Sequence, residues 1–293
     1  MWQQRTLKDP VRCIGLGLHS GQAVTMTLRP APPERGIIFR RVDLPGQPEV
    51  SARVENVIDS RLATTLAHNG ARVMSVEHLL GPEVPIMDGS CAPFLLLIKT
   101  AGIRLQEAPR RVIRIKKAVK VGDGDRALKI APSDKPRVSC VIKFDHHLLK
   151  EQKYSIPLDV KSFTREISRA RTFGFLGDVA EIKKLGLSKG GSLDNVIVID
   201  RFQVLNPTGL RFEDEFVRHK ILDMIGDLAL LGRRIIGHLQ GFKPGHSLNH
   251  SLVRRILESP AQWEILTLSP ETSPAVEGPV APQLAVLPAP SLA

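Results

Sequence analysis

His219, Asp223 and Asp227 stand four residues apart in the run RFEDEFVRHKILDMIGDLAL at 211–230. At about 100° per residue, positions four apart share one face of a helix. An imidazole and a carboxylate at that spacing can both reach one zinc ion. The same spacing also fits a surface helix whose His and Asp form an ion pair worth a few tenths of a kcal/mol. Two further clusters add titratable groups: Glu77-His78 within VMSVEHLL, and His246 between Gly245 and Ser247, read as a loop position. Adjacent Glu and His leave a helix in different directions, yet both reach a site lying off the helix end. Their plain readings are a solvated helix turn and a surface histidine.

The elements that must position these groups follow from periodicity. A helix is expected over 218–230, with Ile221, Leu222, Ile225 and Leu228 as its apolar face. Residues 24–28 alternate as a half-buried strand, 36–41 (GIIFRR) reads as a second strand after a proline turn, and 195–200 (NVIVID) as an apolar strand. A helix opens near 73 with Ser75 as cap, and another covers 92–101 and stops at Gly102. Between them, GPEVPIMDGSCAPF at 81–94 is a constrained loop with two internal prolines and an Asp88-Gly89 turn. Residues 159–176 begin helically and lead into the loop ARTFGF, 180–185 form a short helix, and 251–258 the last one.

The runs at 24–43 and 126–145 repeat a strand, a proline turn, a second strand and a closing Asp at constant offset, as in Pro30 and Pro132 or Asp43 and Asp145. Two copies suggest two related α+β domains, and a chance likeness of two strand–turn–strand units is the other reading. The polar stretch at 105–110 marks the boundary. The expected division is therefore an N-terminal domain over 1–107 carrying Glu77-His78, a C-terminal domain over 108–268 carrying the 218–230 helix and His246, and a disordered Pro- and Ala-rich tail over 269–293.

Composition narrows the function. Hydrophobic residues make up 42% of the 293, enough for a sizeable core, while aromatics at 4% leave the packing to aliphatic side chains. A net charge of +11 suits an anionic partner, but the positive charges are scattered in pairs and few aromatics are interleaved for base stacking, so nucleic acid is not expected. Cys13, Cys91 and Cys140 are widely spaced and form no CxxC pattern, which fits a reducing cytoplasm. No apolar signal core and no run of 18 apolar residues stand out, so no transmembrane segment is expected.

Taken together, SVEHLL (75–80), PEVPIMDGSCAPF (82–94), SRARTFGF (168–175), LRFEDEFVRHKILDMIGDL (210–228) and GHSLN (245–249) resemble the motifs of the UDP-3-O-acyl-N-acetylglucosamine deacetylase family, with GLGLHSG (15–21) and LRPAP (28–32) fitting its N-terminal region. The resemblance runs in consistent order from about residue 3 to 265. It implies two α+β domains, each a β-sheet, with helices packed between the domains. It implies zinc-dependent hydrolysis of the 2-acetamido group of UDP-3-O-acyl-N-acetylglucosamine, releasing acetate in the committed step of lipid A synthesis of Gram-negative bacteria. By position, His78, His219 and Asp223 match the zinc ligands and Glu77 the general base. His246 matches the proton donor, Asp227 its carboxylate partner, and Thr172 a hydroxyl on the tetrahedral intermediate. Lys220 and Phe173 match substrate contacts.

The chain departs from the family in one place. In members, SVEHL continues through a longer helix and a strand with an IDN motif before PE-x-PIMDGS; here Leu80 is followed at once by Gly81-Pro82. Roughly fifteen residues or more are missing, about a helix and a strand by usual element sizes. The loss is expected to shorten the helix holding His78 and to leave a gap or exposed edge in the first sheet. It motivates an alternative: a non-catalytic relative that binds the UDP-acyl-sugar without turnover. Peripheral contact with a membrane is a further expectation. AVLPAPSLA (285–293) reads either as a plain disordered end or as a recognition handle for a protease.

Overall fold

The computed structural model describes residues 2–60, 65–68, 71–74, 83–146, 149–184 and 188–270. Glu77, His78 and the tail from 271 onward lie outside them. The N-terminal half runs β1 (Gln3–Leu7), β2 (Val11–Leu16), β3 (Ala23–Leu28), β4 (Ile38–Arg40), β5 (Glu49–Ser51), β6 (Val57–Asp59), β7 (Thr65–His68), β8 (Ala71–Met74), α1 (Ala92–Ala101) and β9 (Ile103–Pro109). The C-terminal half runs β10 (Arg111–Ile115), β11 (Val119–Asp123), β12 (Arg126–Ala131), β13 (Arg137–Lys143), β14 (Glu151–Pro157), β15 (Phe173–Phe175), α2 (Leu176–Lys184), β16 (Ile197–Ile199), α3 (Glu215–Leu228), β17 (Arg234–Ile236), β18 (His238–Phe242), α4 (His246–Leu257) and β19 (Trp263–Thr267). The architecture is α+β, and no helix among the described residues is long and apolar enough to cross a membrane.

A five-stranded sheet in the order β11-β12-β18-β13-β14 dominates the C-terminal half. β18 is its centre, antiparallel to β12 and parallel to β13. Strand alternation decides which face is buried: Val138, Cys140 and Ile142 of β13 point inward, while Arg137 and Lys143 at its ends face solvent. α3 packs on β13 and β14, and α4 on β11 and β12, so the two helices lie side by side on one face. Phe39, Val50, Ala52 and Val54 of the N-terminal half join the same apolar cluster, with Val54 in a short turn that packs on α4. Each such fully buried aliphatic side chain contributes roughly 1.5–3 kcal/mol relative to an exposed one. The helices thus sit between the C-terminal sheet and the N-terminal half.

The N-terminal half is divided differently. β2-β3 and β4-β5 are separate two-stranded sheets, β1 pairs with β9, and β6-β7-β8 form a small meander. Met26, Leu28, Val84 and Phe94 make a second, smaller core under α1, apart from the cluster that takes Phe39 and Val50. By the repeat, β3 and β4 correspond to β12 and β13, which β18 joins. Among the described residues nothing joins β3 to β4.

Several elements differ from their sequence reading. Val73 and Met74 end strand β8, paired with β7, rather than opening a helix; the remainder of that expected helix, 75–80, lies outside the described residues. The polar stretch near 105–110 is strand β9, whose Pro109 sits at its end, where a missing donor costs little. The expected helix from 159 is a single α-turn, Val160–Ser162, capped by Asp159, that widens into π-helical Phe163–Ile167. α3 begins three residues before the expected 218, at Glu215, and α4 begins at His246 instead of 251. Gly245 supplies the extended cap residue that starts α4, so the Pro-Gly pair ends β18's connection and not the regular structure.

The loop at 83–91 fastens the two halves. Glu83 accepts bonds from the backbone N–H groups of His19 and Ser20, the latter at 2.8 Å. On the other side, Thr172 N donates to Gly89 O at 2.9 Å. Gly89 has φ +80°, and a Cβ there would lie 1.9 Å from Asn195 O. Gly89→Ala should therefore destabilise the protein by more than about 1 kcal/mol, read as a lower urea midpoint, whereas Gly36→Ala, which would meet nothing within 4 Å, isolates the backbone term alone.

Candidate active site

α3 presents three carboxylates to the interior: Glu215, Asp223 and Asp227, at 0%, 2% and 1% exposure. Glu215 starts the helix, where a negative charge is favoured by the helix dipole. Its oxygens accept Arg171 Nε at 2.9 Å, Arg171 Nη2 at 3.1 Å and the backbone N–H of Arg171 at 2.9 Å. Arg171 Nη2 also donates to Gly209 O at 2.7 Å, and Arg211 N to Glu215 at 2.6 Å. This buried pair seals the segment 168–175 against α3. The following strand is held by Thr172, whose carbonyl accepts Ile197 N at 2.8 Å.

That clamp sets the histidine one turn further on. His219 Nδ1 lies 3.1 Å from Ala170 O. A carbonyl only accepts, so Nδ1 carries the proton and Nε2 presents a lone pair. Nε2 lies 3.2 Å from Asp223 Oδ1, a buried oxygen with no hydrogen bond. The other Asp223 oxygen is taken by Lys220 Nζ at 2.6 Å. Two buried acceptors facing each other repel unless a proton or a cation lies between them. The donor set, one imidazole nitrogen and one carboxylate oxygen, fits a metal ion such as zinc. Among the described residues no third His, Cys, Asp or Glu joins this pair, and His78 and Glu77 lie outside the described residues.

Phe173 and Lys220 border the same spot. The Phe173 ring meets His219 edge-on with centroids 6.3 Å apart, and Lys220 Nζ lies 5.4 Å from the Phe173 centroid. A cation over an aromatic face is attracted to it. Phe173, His219, Lys220 and Asp223 form one cluster, and Thr172, half-buried, precedes Phe173 in the chain.

One turn beyond Asp223, Asp227 receives the first turns of α4. His246 Nδ1 lies 2.8 Å from Asp227 Oδ2, Asn249 Nδ2 donates to the same oxygen at 2.8 Å, and His250 Nε2 lies 2.9 Å from Oδ1. Burial alone would raise both aspartate carboxyls. Lys220 outweighs it at Asp223, and His246 and His250 at Asp227, so both are held well below the usual carboxylate range. Sequence reading paired His246 with Asp227 but passed over Asn249 and His250. Their i+3 and i+4 spacing from His246 was the available signal, hidden by reading 241–250 as a loop.

The family model described as UDP-3-O-acyl N-acetylglycosamine deacetylase matches residues 4–81 and 80–258. The chain belongs to this family. The UDP-3-O-acyl-N-acetylglucosamine deacetylase of Myxococcus xanthus is 51% identical over 281 residues, covering 90% of each chain. That of Teredinibacter turnerae is 45% identical over 304, covering 98% of this chain and 100% of the relative, and that of Hahella chejuensis 47% over 285, covering 91% and 94%. The two family segments meet at Leu80-Gly81, where the sequence reads as shortened. The 304 positions shared with the Teredinibacter protein hold 98% of these 293 residues, about 287, so roughly 17 positions have no counterpart here.

Two expectations follow. Asp223 and Asp227 have folded-state pKa values below their unfolded ones, so they contribute stability above the unfolded value near 4, lost as pH falls through and below it. The urea midpoint should drop between about pH 5 and pH 3, and Asp227→Asn should flatten that slope. Arg171→Met, which leaves the Glu215 charge buried and unpaired, should cost roughly 3–5 kcal/mol, measured by the same denaturation.

Proposed function

We propose that this chain hydrolyses the 2-acetamido group of UDP-3-O-acyl-N-acetylglucosamine and releases acetate, the committed step of lipid A synthesis, as a cytoplasmic zinc enzyme. The observation that carries the reading is the buried convergence of His219 Nε2 and Asp223 Oδ1, two acceptors 3.2 Å apart with the imidazole tautomer fixed by Ala170 O. His78 is the third ligand in this reading. Zinc bound there supplies a Lewis acid beside the scissile amide.

The remaining work falls to the chain's own side chains. Glu77 takes the proton of the attacking water. His246, kept cationic by the Asp227 carboxylate on its Nδ1, stabilises negative charge on the former amide oxygen through Nε2–H and passes that proton to the leaving amine. The amine is a poor leaving group until protonated, so this transfer completes C–N cleavage, and acetate leaves with the oxygen taken from water. Thr172 donates a hydroxyl hydrogen bond to the intermediate. Lys220 and Phe173, already in cation–ring contact, bind the sugar nucleotide. The surplus of positive charge favours the diphosphate.

A second reading rests on the break between the two family segments at residues 80–81, close to Glu77-His78, together with roughly 17 aligned positions that have no counterpart in this chain. Metal ligands need positioning within a few tenths of an ångström, and a relative with that segment shortened would bind the UDP-acyl-sugar without turnover.

Acetate release from UDP-3-O-acyl-N-acetylglucosamine by zinc-supplemented protein decides between them. The deacetylase reading expects turnover, about one zinc per chain, and a loss of well over a hundredfold in His219→Ala, beyond the 10–100-fold cost typical of outer-shell partners. Substrate binding by a folded, zinc-free sample with no acetate release would overturn it in favour of the second reading.

A further inference from the structure

Three side chains of α4 converge on one buried carboxylate. His246 and Asn249 both bond to Asp227 Oδ2, while His250 meets Oδ1 at 2.9 Å. His246, Asn249 and His250 stand at i, i+3 and i+4 and so share a helix face. His250 is 0% exposed and Asp227 1%, so water does not stand in for either. An imidazole so deeply buried is costly compared with an aliphatic side chain of similar size, which would fill the same space in the α3–α4 interface without any polar group to satisfy.

The geometry gives that imidazole a task. An aspartate anchored on a helix keeps one soft torsion, χ2, which turns the carboxylate plane and exchanges its two oxygens with little intrinsic preference. Donors on Oδ2 set this torsion from one end of the carboxylate, within a shallow well in which it still swings. His246 needs that swing limited, because an imidazole aligned on a carboxylate lone pair points its far nitrogen along one direction only. His250 Nε2–H on Oδ1 opposes the swing from the other end of the carboxylate. The His246 and His250 rings lie with centroids 6.3 Å apart and planes 29° from parallel, so both imidazoles approach the same carboxylate from one side of α4.

We propose that His250 is a positioning residue for the Asp227–His246 pair: it locks the Asp227 carboxylate so that His246 holds the orientation needed for proton transfer. The inference rests on the deacetylase reading for its kinetic form, but the hydrogen-bond lock itself is independent of turnover. His250 touches no substrate group in this scheme, so its loss acts on the chemical step and not on binding.

The test compares His250→Leu with His250→Gln in the zinc-loaded full chain. Leu fills the space without a donor, whereas the Gln side-chain amide N–H reaches toward Oδ1 as Nε2–H does. With both variants folded by circular dichroism and holding zinc as the wild type does, His250→Leu should lower kcat by about 10–100-fold, the usual cost of removing an outer-shell orienting partner, with KM unchanged. His250→Gln should recover most of that loss. A second readout needs no activity: the downfield proton resonance of His246 Nδ1–H on a carboxylate, assigned by its absence in His246→Ala, should vanish or broaden in His250→Leu and persist in His250→Gln. A folded His250→Leu with unchanged kcat and an unchanged resonance would overturn the proposal, as would equal losses in both variants. Absence of acetate release by the wild type would count against the deacetylase reading alone, and the resonance would still decide the lock.

Discussion

Moving an ionised carboxylate from water into a protein interior costs several kcal/mol unless partners offset it. α3 does this three times within thirteen residues, at Glu215, Asp223 and Asp227. Each charge is answered by a different part of the chain. Arg171 and the backbone of 171 and 211 answer Glu215, drawing the segment 168–175 against the helix. Lys220, on the helix itself, answers Asp223. The opening turns of α4 answer Asp227. Compensating the three charges therefore draws the segment 168–175 and the opening of α4 onto the one helix that carries His219 and Lys220. The apolar faces of α3 and α4 supply the stabilisation, but they would tolerate many rotations and shifts; the paired charges select one.

The two halves of the molecule show what a central strand does for such an arrangement. In the C-terminal half, β18 runs between β12 and β13 and leads directly into α4, so the sheet's centre and the helix carrying His246 are one continuous piece. The N-terminal half repeats the flanking hairpins as β2-β3 and β4-β5, and there its apolar residues divide between two clusters. The two matched family segments meet at Leu80-Gly81, between the segment carrying Glu77-His78 and the loop that docks on Thr172. The architecture thus concentrates its rigidity on the C-terminal side of the site. The N-terminal contribution hangs on Glu83, Ile86 and Gly89, each fixed by backbone hydrogen bonds rather than by a filled sheet.

What could be read from the sequence was whatever depends on local periodicity. The helix α1 over Ala92–Ala101 ending at Gly102, the alternation of β3 and β12, and the one-face spacing of His219, Asp223 and Asp227 all arise within a few residues. The ARTFGF loop was visible as irregular, but its function as a latch was not. Arg171 and Glu215 are 44 residues apart, and nothing local marks either as buried. The same holds for Gly89, whose missing side chain makes room for Asn195 O, 106 positions along the chain. The start of α4 was misplaced because Pro244 and Gly245 terminate structure as readily as they introduce it. That single error hid the i, i+4 relation of His246 and His250.

Asp223 and Asp227 make the last point about environment. They are the same residue on the same face of the same helix, one turn apart and equally buried. Among the described residues, Asp227 meets three donors of α4 spread over both oxygens, which commits it to holding that helix and its imidazoles. Asp223 has one donor, Lys220, on one oxygen, and its other oxygen faces the lone-pair nitrogen of His219. An acceptor facing an acceptor is unfavourable in isolation and becomes favourable only when a cation is shared between them. The difference between a proton-relay carboxylate and a ligand carboxylate is thus set by how many N–H donors reach each one, and the buried surroundings, which admit little water to fill the gap, keep the two from exchanging roles.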